Sequence, residues 1–453
     1  MILHIKDRKK NIFEKFTTAQ TLLLGYLIFI TAGSILLMLP VSLAENNSLS
    51  IIDAVFTTTS AISGTGLIIV DTANYFTYFG QFVIMMLIQV GNIGYMLFFA
   101  LAVILLGGRL SFFNKVMIRE SISTSKLDLM LFTRKVFKYT FIIEGVSALL
   151  LTVYWTNDYG FFEALRLGVF HSISAFCTAG FSLFRDNLAG FHNDYFVNFS
   201  IIATSYAGSL GFFVIYDLSM YAKKLRKKNS RAQLSTHSKL ALTTSVSLII
   251  AGTLFLILSE GLNPKNHEYN LVLTAFFQSG TSSTSAGFNT VNVGILSNAS
   301  LFAMVFLMFI GASPSGTGGG IKTTVFASLV LALFTFIFDK KNVNVFKRTI
   351  KPVNLTRAFS IMLMGLSWIF ISVLLLTMTE NQEFLHILFE TVSALGNNGI
   401  SAGFTPELSF IGKIILSLTM LIGRVGPLII GYAIGGGVKS EFYKYPDANI
   451  LIV

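Results

Sequence analysis

The chain has 453 residues, of which 53% are hydrophobic and only 12% charged, with a mean hydropathy of +0.70; an ordinary soluble domain is about 25% charged. Length alone suggests about three soluble domains, but long charge-free stretches exclude that class and point to a polytopic membrane protein. A lone Cys177 excludes an intrachain disulfide scaffold, 44 Phe and 15 Tyr exclude intrinsic disorder, and 33 Lys and Arg against 22 Asp and Glu leave a basic excess of +11.

Between Lys15 and Glu45 no charge occurs, ample for a hydrocarbon core that needs about 20 apolar residues. The stretch is too long for a signal-peptide core, and no small-residue cleavage site follows it. Further spans are expected at 75–108, 139–156, 195–216, 240–259, 301–338, 358–379 and 408–438, making eight. Between the odd and even spans lie shorter pieces at 52–67, 162–181, 271–288 and 384–400, rich in Ser, Thr and Asn. Half-crossing, re-entrant segments fit them better than full spans.

Basic residues cluster in four places. These are Lys6, Arg8, Lys9, Lys10 and Lys15; then Arg109, Lys115, Arg119, Lys126, Arg134, Lys135 and Lys138; then Lys223, Lys224, Arg226, Lys227, Lys228, Arg231 and Lys239; and last Lys340, Lys341, Lys347, Arg348, Lys351 and Arg357. Every cluster precedes an odd span or follows an even one, so all lie on one side, which the positive-inside rule makes cytoplasmic. Both termini are then expected in the cytoplasm. The opposite loops carry Glu45, Asp71, Asp158, Asp186, Asp194, Glu260, Glu268, Glu380, Glu383 and Glu407.

The half-crossing pieces align without gaps. They read Phe56-Thr-Thr-Thr-Ser60-Ala-Ile-Ser-Gly-Thr-Gly66-Leu67, Phe170-His-Ser-Ile-Ser174-Ala-Phe-Cys-Thr-Ala-Gly180-Phe181, Phe277-Gln-Ser-Gly-Thr281-Ser-Ser-Thr-Ser-Ala-Gly287-Phe288 and Phe389-Glu-Thr-Val-Ser393-Ala-Leu-Gly-Asn-Asn-Gly399-Ile400. Each has Phe, a hydroxyl residue four later, Gly six further on and then an apolar residue; the glycines stand 114, 107 and 112 residues apart. Four matches in register with the topology indicate an internal repeat. The expected units are 1–120, 121–228, 229–345 (with an intramembrane loop at 311–324) and 346–453. A short helix ending at mid-depth presents a partly negative carboxyl end, and the extended backbone after it cannot face lipid. Four such backbones around one axis can turn carbonyls inward and replace the water shell of a cation, with Gly permitting the φ values and close approach required.

These residues resemble the Trk/Ktr/HKT superfamily of potassium transporters, nearest within it the membrane subunits of bacterial Ktr systems. The resemblance implies an all-α membrane protein with four membrane-pore-membrane repeats, eight transmembrane helices and four re-entrant pore segments around one pseudo-fourfold pore. It implies a selectivity filter at Gly66, Gly180, Gly287 and Gly399, flanked by Gly64, Thr65, Thr178, Ala179, Ser285, Ala286, Asn397 and Asn398, with potassium held by backbone carbonyls. Gly at all four positions matches potassium-selective members, whereas Ser in the first repeat marks sodium-favouring plant relatives. Departure from a repeated Thr-Val-Gly-Tyr-Gly implies looser selectivity than in tetrameric potassium channels.

The sixth span is interrupted at Gly311-Ala-Ser-Pro-Ser-Gly-Thr-Gly-Gly-Gly-Ile-Lys-Thr-Thr324. Each interior Gly costs a helix ~1 kcal/mol and Pro ~3 relative to Ala, so an intramembrane loop obstructing the pore is expected; the simpler reading is a passive kink. Residues 313–322 resemble the gating loop of Ktr subunits, which points to Gly316, Gly318, Gly319, Gly320 and Lys322. Arg424 in Gly-Arg-Val-Gly-Pro is costly at membrane depth, at least ~2.5 kcal/mol. Two readings stand open for it: a bond to carbonyls of the loop that holds the gate shut, or an ion pair with Glu144 or Asp217. Polar Gln89, Asn92 and Ser209 occupy the equivalent places in the first two units. His171 is expected to be packed and hydrogen-bonded rather than a ligand, and Cys177 to contribute its backbone carbonyl.

No His-Glu-x-x-His, Gly-x-Ser-x-Gly or Walker loop occurs, so no enzyme is expected. The leading expectation is potassium uptake across the plasma membrane. The alternatives are a sodium or non-selective cation transporter of the same superfamily, and a secondary transporter of an organic solute, which would need inverted repeats and a charged pocket. The resemblance further implies a homodimer with a cytosolic ring of nucleotide-binding regulatory subunits (KtrA-like), no cofactor on this chain, no nucleic acid, and sodium as a candidate activator.

Overall fold

The computed structural model describes residues 18–45, 47–94, 129–227, 233–262 and 269–426. Lys6, Arg8, Lys9, Lys10, Lys15, Arg109, Lys115, Arg119, Lys126, Lys228, Arg231 and Glu268 lie outside the described residues, as do the ends of the expected second and eighth spans.

Fifteen helices carry most of the described chain. They are α1 Thr18–Met38, α2 Ile51–Ser63, α3 Thr72–Tyr75, α4 Tyr78–Ile93, α5 Leu129–Tyr159, α6 Phe161–Phe176, α7 Tyr195–Ser209, α8 Phe212–Arg226, α9 Thr236–Gly261, α10 Leu271–Thr284, α11 Asn298–Ile310, α12 Thr323–Ile337, α13 Pro352–Thr379, α14 Phe384–Gly396 and α15 Phe410–Val425. A small hairpin, β1 Asn344–Val345 with β2 Arg348–Thr349, joins α12 to α13. Short polar residues set the starts: Ser50, Thr77, Asp194, Ser235, Asn270, Ser297 and Ser409 each accept a first-turn N–H, satisfying donors that a helix leaves orphaned. Carboxylates at the ends of α9 and α13 grip two of those caps, Glu260 on Ser297 N (2.9 Å) and Glu380 on Ser409 N (3.1 Å).

Among the described residues four helices, α1, α5, α9 and α13, are long and apolar enough to cross a membrane. Their outward faces expose Ile35, Leu149, Leu254 and Phe370, contiguous apolar surface that water would penalise and lipid would not. The protein is a helical membrane protein. The expected span 195–216 is not a straight rod: α7 and α8 meet at 96°, with Gly211 at φ 90° between them. α4, α11 and α15 likewise end at Gly94, Gly311 and Gly426, each at positive φ. Interior Gly is the weakest point of a helix, and here it ends one each time.

Each unit packs in the same way. α1 contacts α2 and α2 contacts α4; α5, α6 and α7 follow suit, then α9, α10 and α11, then α13, α14 and α15. Successive units join through α4–α6, α7–α10 and α11–α14, and α15 returns to α2, closing a ring. The repeated Phe56, Phe170, Phe277 and Phe389 are buried, as are Leu67, Phe181, Phe288 and Ile400 after each glycine. Burying such a side chain contributes ~1.5–3 kcal/mol, so the repeated apolar positions pin both ends of each short segment.

Candidate functional site

The short helices α2, α6, α10 and α14 end in one shared geometry. Gly64, Thr178, Ser285 and Asn397 take left-handed φ of 68°, 51°, 58° and 46°. The next residue then turns back: Thr65 N donates to Ser60 O (2.9 Å), Ala179 N to Ser174 O (2.8 Å), Ala286 N to Thr281 O (2.9 Å) and Asn398 N to Ser393 O (2.9 Å). Gly66, Gly180, Gly287 and Gly399 follow at φ between 67° and 90°. In three of the four segments the repeated hydroxyl secures this turn from within; in the third, Thr281 Oγ1 has no hydrogen-bond partner among the described residues. Ser60 Oγ and Ser393 Oγ accept the N–H of Gly66 and Gly399 at 3.0 Å, and Ser174 Oγ donates to Phe181 O at 2.7 Å.

The four turns meet. A Cβ built on Gly180 would lie 2.7 Å from Gly287 Cα, and one on Gly399 would lie 2.9 Å from Gly66 Cα. On Gly66 it would strike Ala179 O, and on Gly287 it would strike Asn398 O. Backbone therefore touches backbone around a ring of four units. Side chains beside the glycines turn away from it as braces: Asn397 Nδ2 donates to Thr65 Oγ1 (2.8 Å) and Met420 O (2.8 Å), and Asn398 Nδ2 to Ser282 O (2.9 Å). All of these residues are buried. Yet among the described residues no hydrogen bond uses the carbonyls of Thr65, Ala179, Ala286 or Asn398. Buried carbonyls are nearly always paired, so a ring of unpaired ones suits a dehydrated cation.

The break after α11 lies against the same place. Thr317 N donates to Gly208 O (3.2 Å), Thr317 Oγ1 to Phe176 O at the end of α6 (3.0 Å), and Ser313 N to Ser209 O (3.0 Å). A Cβ on Gly318 would sit 3.0 Å from Thr284 O, and one on Gly319 would sit 2.6 Å from Gly396 O. The segment 311–322 thus packs under the carboxyl ends of three short helices, which a passive kink would not do. Lys322 Nζ folds back onto Gly318 O (2.6 Å) and Gly319 O (3.2 Å). Arg424 bonds Thr317 O of the loop, and also Gly91 O (2.8 Å), Asn92 O (2.7 Å) and Tyr26 Oη (3.4 Å). Of its two readings, contact with the loop is the observed one. Glu144 instead accepts both bonds from Gln89 Nε2 (3.0 Å), and Asp217 accepts Ser235 N (2.9 Å) and Ser238 Oγ (2.6 Å).

His171 is a packed residue. Its Nε2 accepts the N–H of Leu183 (3.3 Å), which leaves the proton on Nδ1 to donate to Leu167 O (2.8 Å). Cys177 departs from expectation, because Thr178 Oγ1 occupies its carbonyl (2.7 Å) while its thiol donates to Gln89 Oε1 (3.4 Å). Glu390 escaped the sequence reading. Fully buried on α14, it accepts from Ala402 N (3.1 Å), Thr405 Oγ1 (2.9 Å) and Ser401 Oγ. Its place in the repeat, the residue after Phe, is the place of His171, and both hold the N–H three residues past a ring glycine. That equivalence is visible once the four segments are aligned.

Fold and site together are those of a helical membrane protein that gathers buried, unpaired backbone oxygens in one place. The chain belongs to the TrkH family of cation transport proteins, whose pattern matches residues 3–434; it is a transporter, not an enzyme. It is 36% identical to Ktr system potassium uptake protein B of Bacillus subtilis, covering 96% of this chain and 97% of that one. It is 31% identical to the potassium/sodium uptake protein NtpJ of Enterococcus hirae over 98% of this chain and 99% of that one. The crystal structure of the potassium transporter TrkH from Vibrio parahaemolyticus shares the fold, with a TM-score of 0.72 and 19% identity over 93% of this chain and 86% of that one.

Proposed function

We propose that this chain is the ion-translocating subunit of a Ktr-type potassium uptake system in the plasma membrane. It is built of four membrane-pore-membrane repeats at 1–120, 121–228, 229–345 and 346–453 around one pore. The observation carrying this reading is the ring of Gly66, Gly180, Gly287 and Gly399 with unpaired, buried carbonyls beside it. Carbonyls of Thr65, Ala179, Ala286 and Asn398 would replace the water shell of potassium. Gly64, Thr178, Ser285 and Asn397 supply the turn that aims them. The loop 311–324, through Gly316, Gly318, Gly319, Gly320 and Lys322, obstructs the pore below this filter, and Arg424 latches it.

Similarity to the Bacillus protein supports potassium as the ion. The wider family resemblance suggests a homodimer served by a cytosolic nucleotide-binding, KtrA-like ring, and the placement of basic residues puts the amino- and carboxyl-terminal segments in the cytoplasm. A second reading, transport of sodium as well as potassium or activation by sodium, is favoured by the name of the Enterococcus relative. Complementation of a potassium-uptake-deficient bacterium, with rubidium and sodium fluxes measured side by side, tests both. Growth at low potassium with rubidium flux well above sodium flux is expected; rescue with equal fluxes supports the second reading. No rescue and no cation flux from a correctly inserted protein would sink both.

A further inference from the structure

A cavity of ≈ 490 Å³ opens between the starts of α9 and α12, the hairpin and the start of α13. Four basic side chains line it: His237, Arg348, Lys351 and Arg357. No carboxylate does. The acid beside His237 is Asp217, and it is engaged by Ser235 and Ser238 at the start of α9. Arg348, Lys351 and Arg357 are exposed, and among the described residues their side chains have no hydrogen-bond or ion-pair partner. Two long helices, α9 and α13, begin at its edge, and Lys351 caps α13 without a side-chain bond. Partial positive charge from the α13 terminus therefore adds to the cations, while Asp217 offsets that of α9.

The remaining wall mixes apolar Leu240, Val325, Ile350 and Ile361 with polar Thr236, Thr324, Ser328, Thr349 and Asn354. Further along the two helices the exposed faces stay apolar, with Val246 and Ile250 on α9 and Phe359 and Leu363 on α13. A ligand that fits must be anionic at one end and hydrocarbon at the other. Basic loops beside membrane helices recruit anionic headgroups in this way, whereas inorganic phosphate would leave the apolar part of the wall in water.

We propose that this cavity holds the headgroup of an anionic phospholipid, with its phosphate on Arg348, Lys351 and Arg357 and its acyl chains along α9 and α13. Thr324 and Val325, in the first turn of α12, also line the cavity, so the headgroup touches the helix that follows directly from the loop 311–322.

The test is titration of the purified full-length protein in detergent with phosphatidylglycerol, phosphatidylcholine or inorganic phosphate, read by native mass spectrometry. Phosphatidylglycerol adducts should form in preference to phosphatidylcholine adducts. The triple variant Arg348→Gln, Lys351→Gln, Arg357→Gln should bind phosphatidylglycerol about 100-fold more weakly, roughly a factor of five per basic residue. Lys351→Gln alone should show about one such factor, which keeps the test open should the triple variant misfold. A control with equal charge loss at Lys223, Lys224 and Arg226 on α8 should bind as before. Unchanged retention in the cavity variants, equal loss in the control, or displacement of the lipid by inorganic phosphate would each overturn the assignment. None of these readouts involves transport, so failure here leaves the filter reading standing.

Discussion

Gly66 shows at single-residue scale why the filter positions tolerate so little. Its φ of 90° lies where a Cβ is costly, and an added Cβ would press on Ala179 O of the neighbouring unit. Left-handed strain on a non-Gly residue costs ~1–2 kcal/mol, and the displaced carbonyl belongs to the ring itself. Gly66→Ser is therefore expected to lower the potassium-to-sodium permeability ratio by roughly tenfold, equivalent to ~1.4 kcal/mol of discrimination. Paired rubidium and sodium fluxes measure it. If Ser at each of Gly66, Gly180, Gly287 and Gly399 in turn leaves ion preference unchanged, the filter lies elsewhere. Glu390 works in the opposite sense, since its two oxygens hold the backbone beyond Gly399 and a charge-neutral side chain cannot accept all of those bonds equally.

At the scale of elements, the interrupted helix between α11 and α12 is held partly by its own bonds, among them Ala312 N to Gly319 O (3.2 Å) and Lys322 Nζ to Gly318 O (2.6 Å), and partly by α6, α7 and Arg424. The bonds made from outside can be broken from outside. Bonds to charged groups contribute ~1.5–3 kcal/mol each, so Arg424→Gln is expected to raise flux about tenfold, and deletion within 313–320 should raise it at least as much. Flux assays in proteoliposomes check both. Lower flux from deletion variants that remain folded would mean that the loop supports the pore rather than blocking it.

For the whole molecule, contacts between helices run from α4 round to α15 and α2, and the titratable residues at equivalent places, His171 and Glu390, differ in type and are each engaged by a backbone N–H. On the proposed function, transport is expected to be driven by the electrochemical gradient. An inside-negative potential supplies ~2.3 kcal/mol per charge per 100 mV, about fifty-fold in equilibrium ratio. Rubidium accumulation in vesicles should follow an imposed potential by that factor and vanish when it is collapsed; accumulation that persists without a potential would require a coupled mechanism.

Much of this architecture is legible in residue order, because its demands are local. Phe to bury and Gly to turn recur at Phe56 and Gly66 and at their three counterparts, with a bracing hydroxyl at Ser60, Ser174 and Ser393, and each requirement is met by residues within one short segment. The 311–324 interruption and the cost of Arg424 are local too, being matters of helix propensity and charge. Contacts across units were not legible. Arg424's bond to the loop stood as one of two readings, but Arg424 meeting Gly91, Cys177 meeting Gln89, the 96° turn between α7 and α8, and the order in which the glycines touch all join residues far apart in sequence or depend on neighbouring packing. Periodicity specifies what a segment must bury or expose, but not which distant segment will cover it; that choice is made only when the helices close around a common axis.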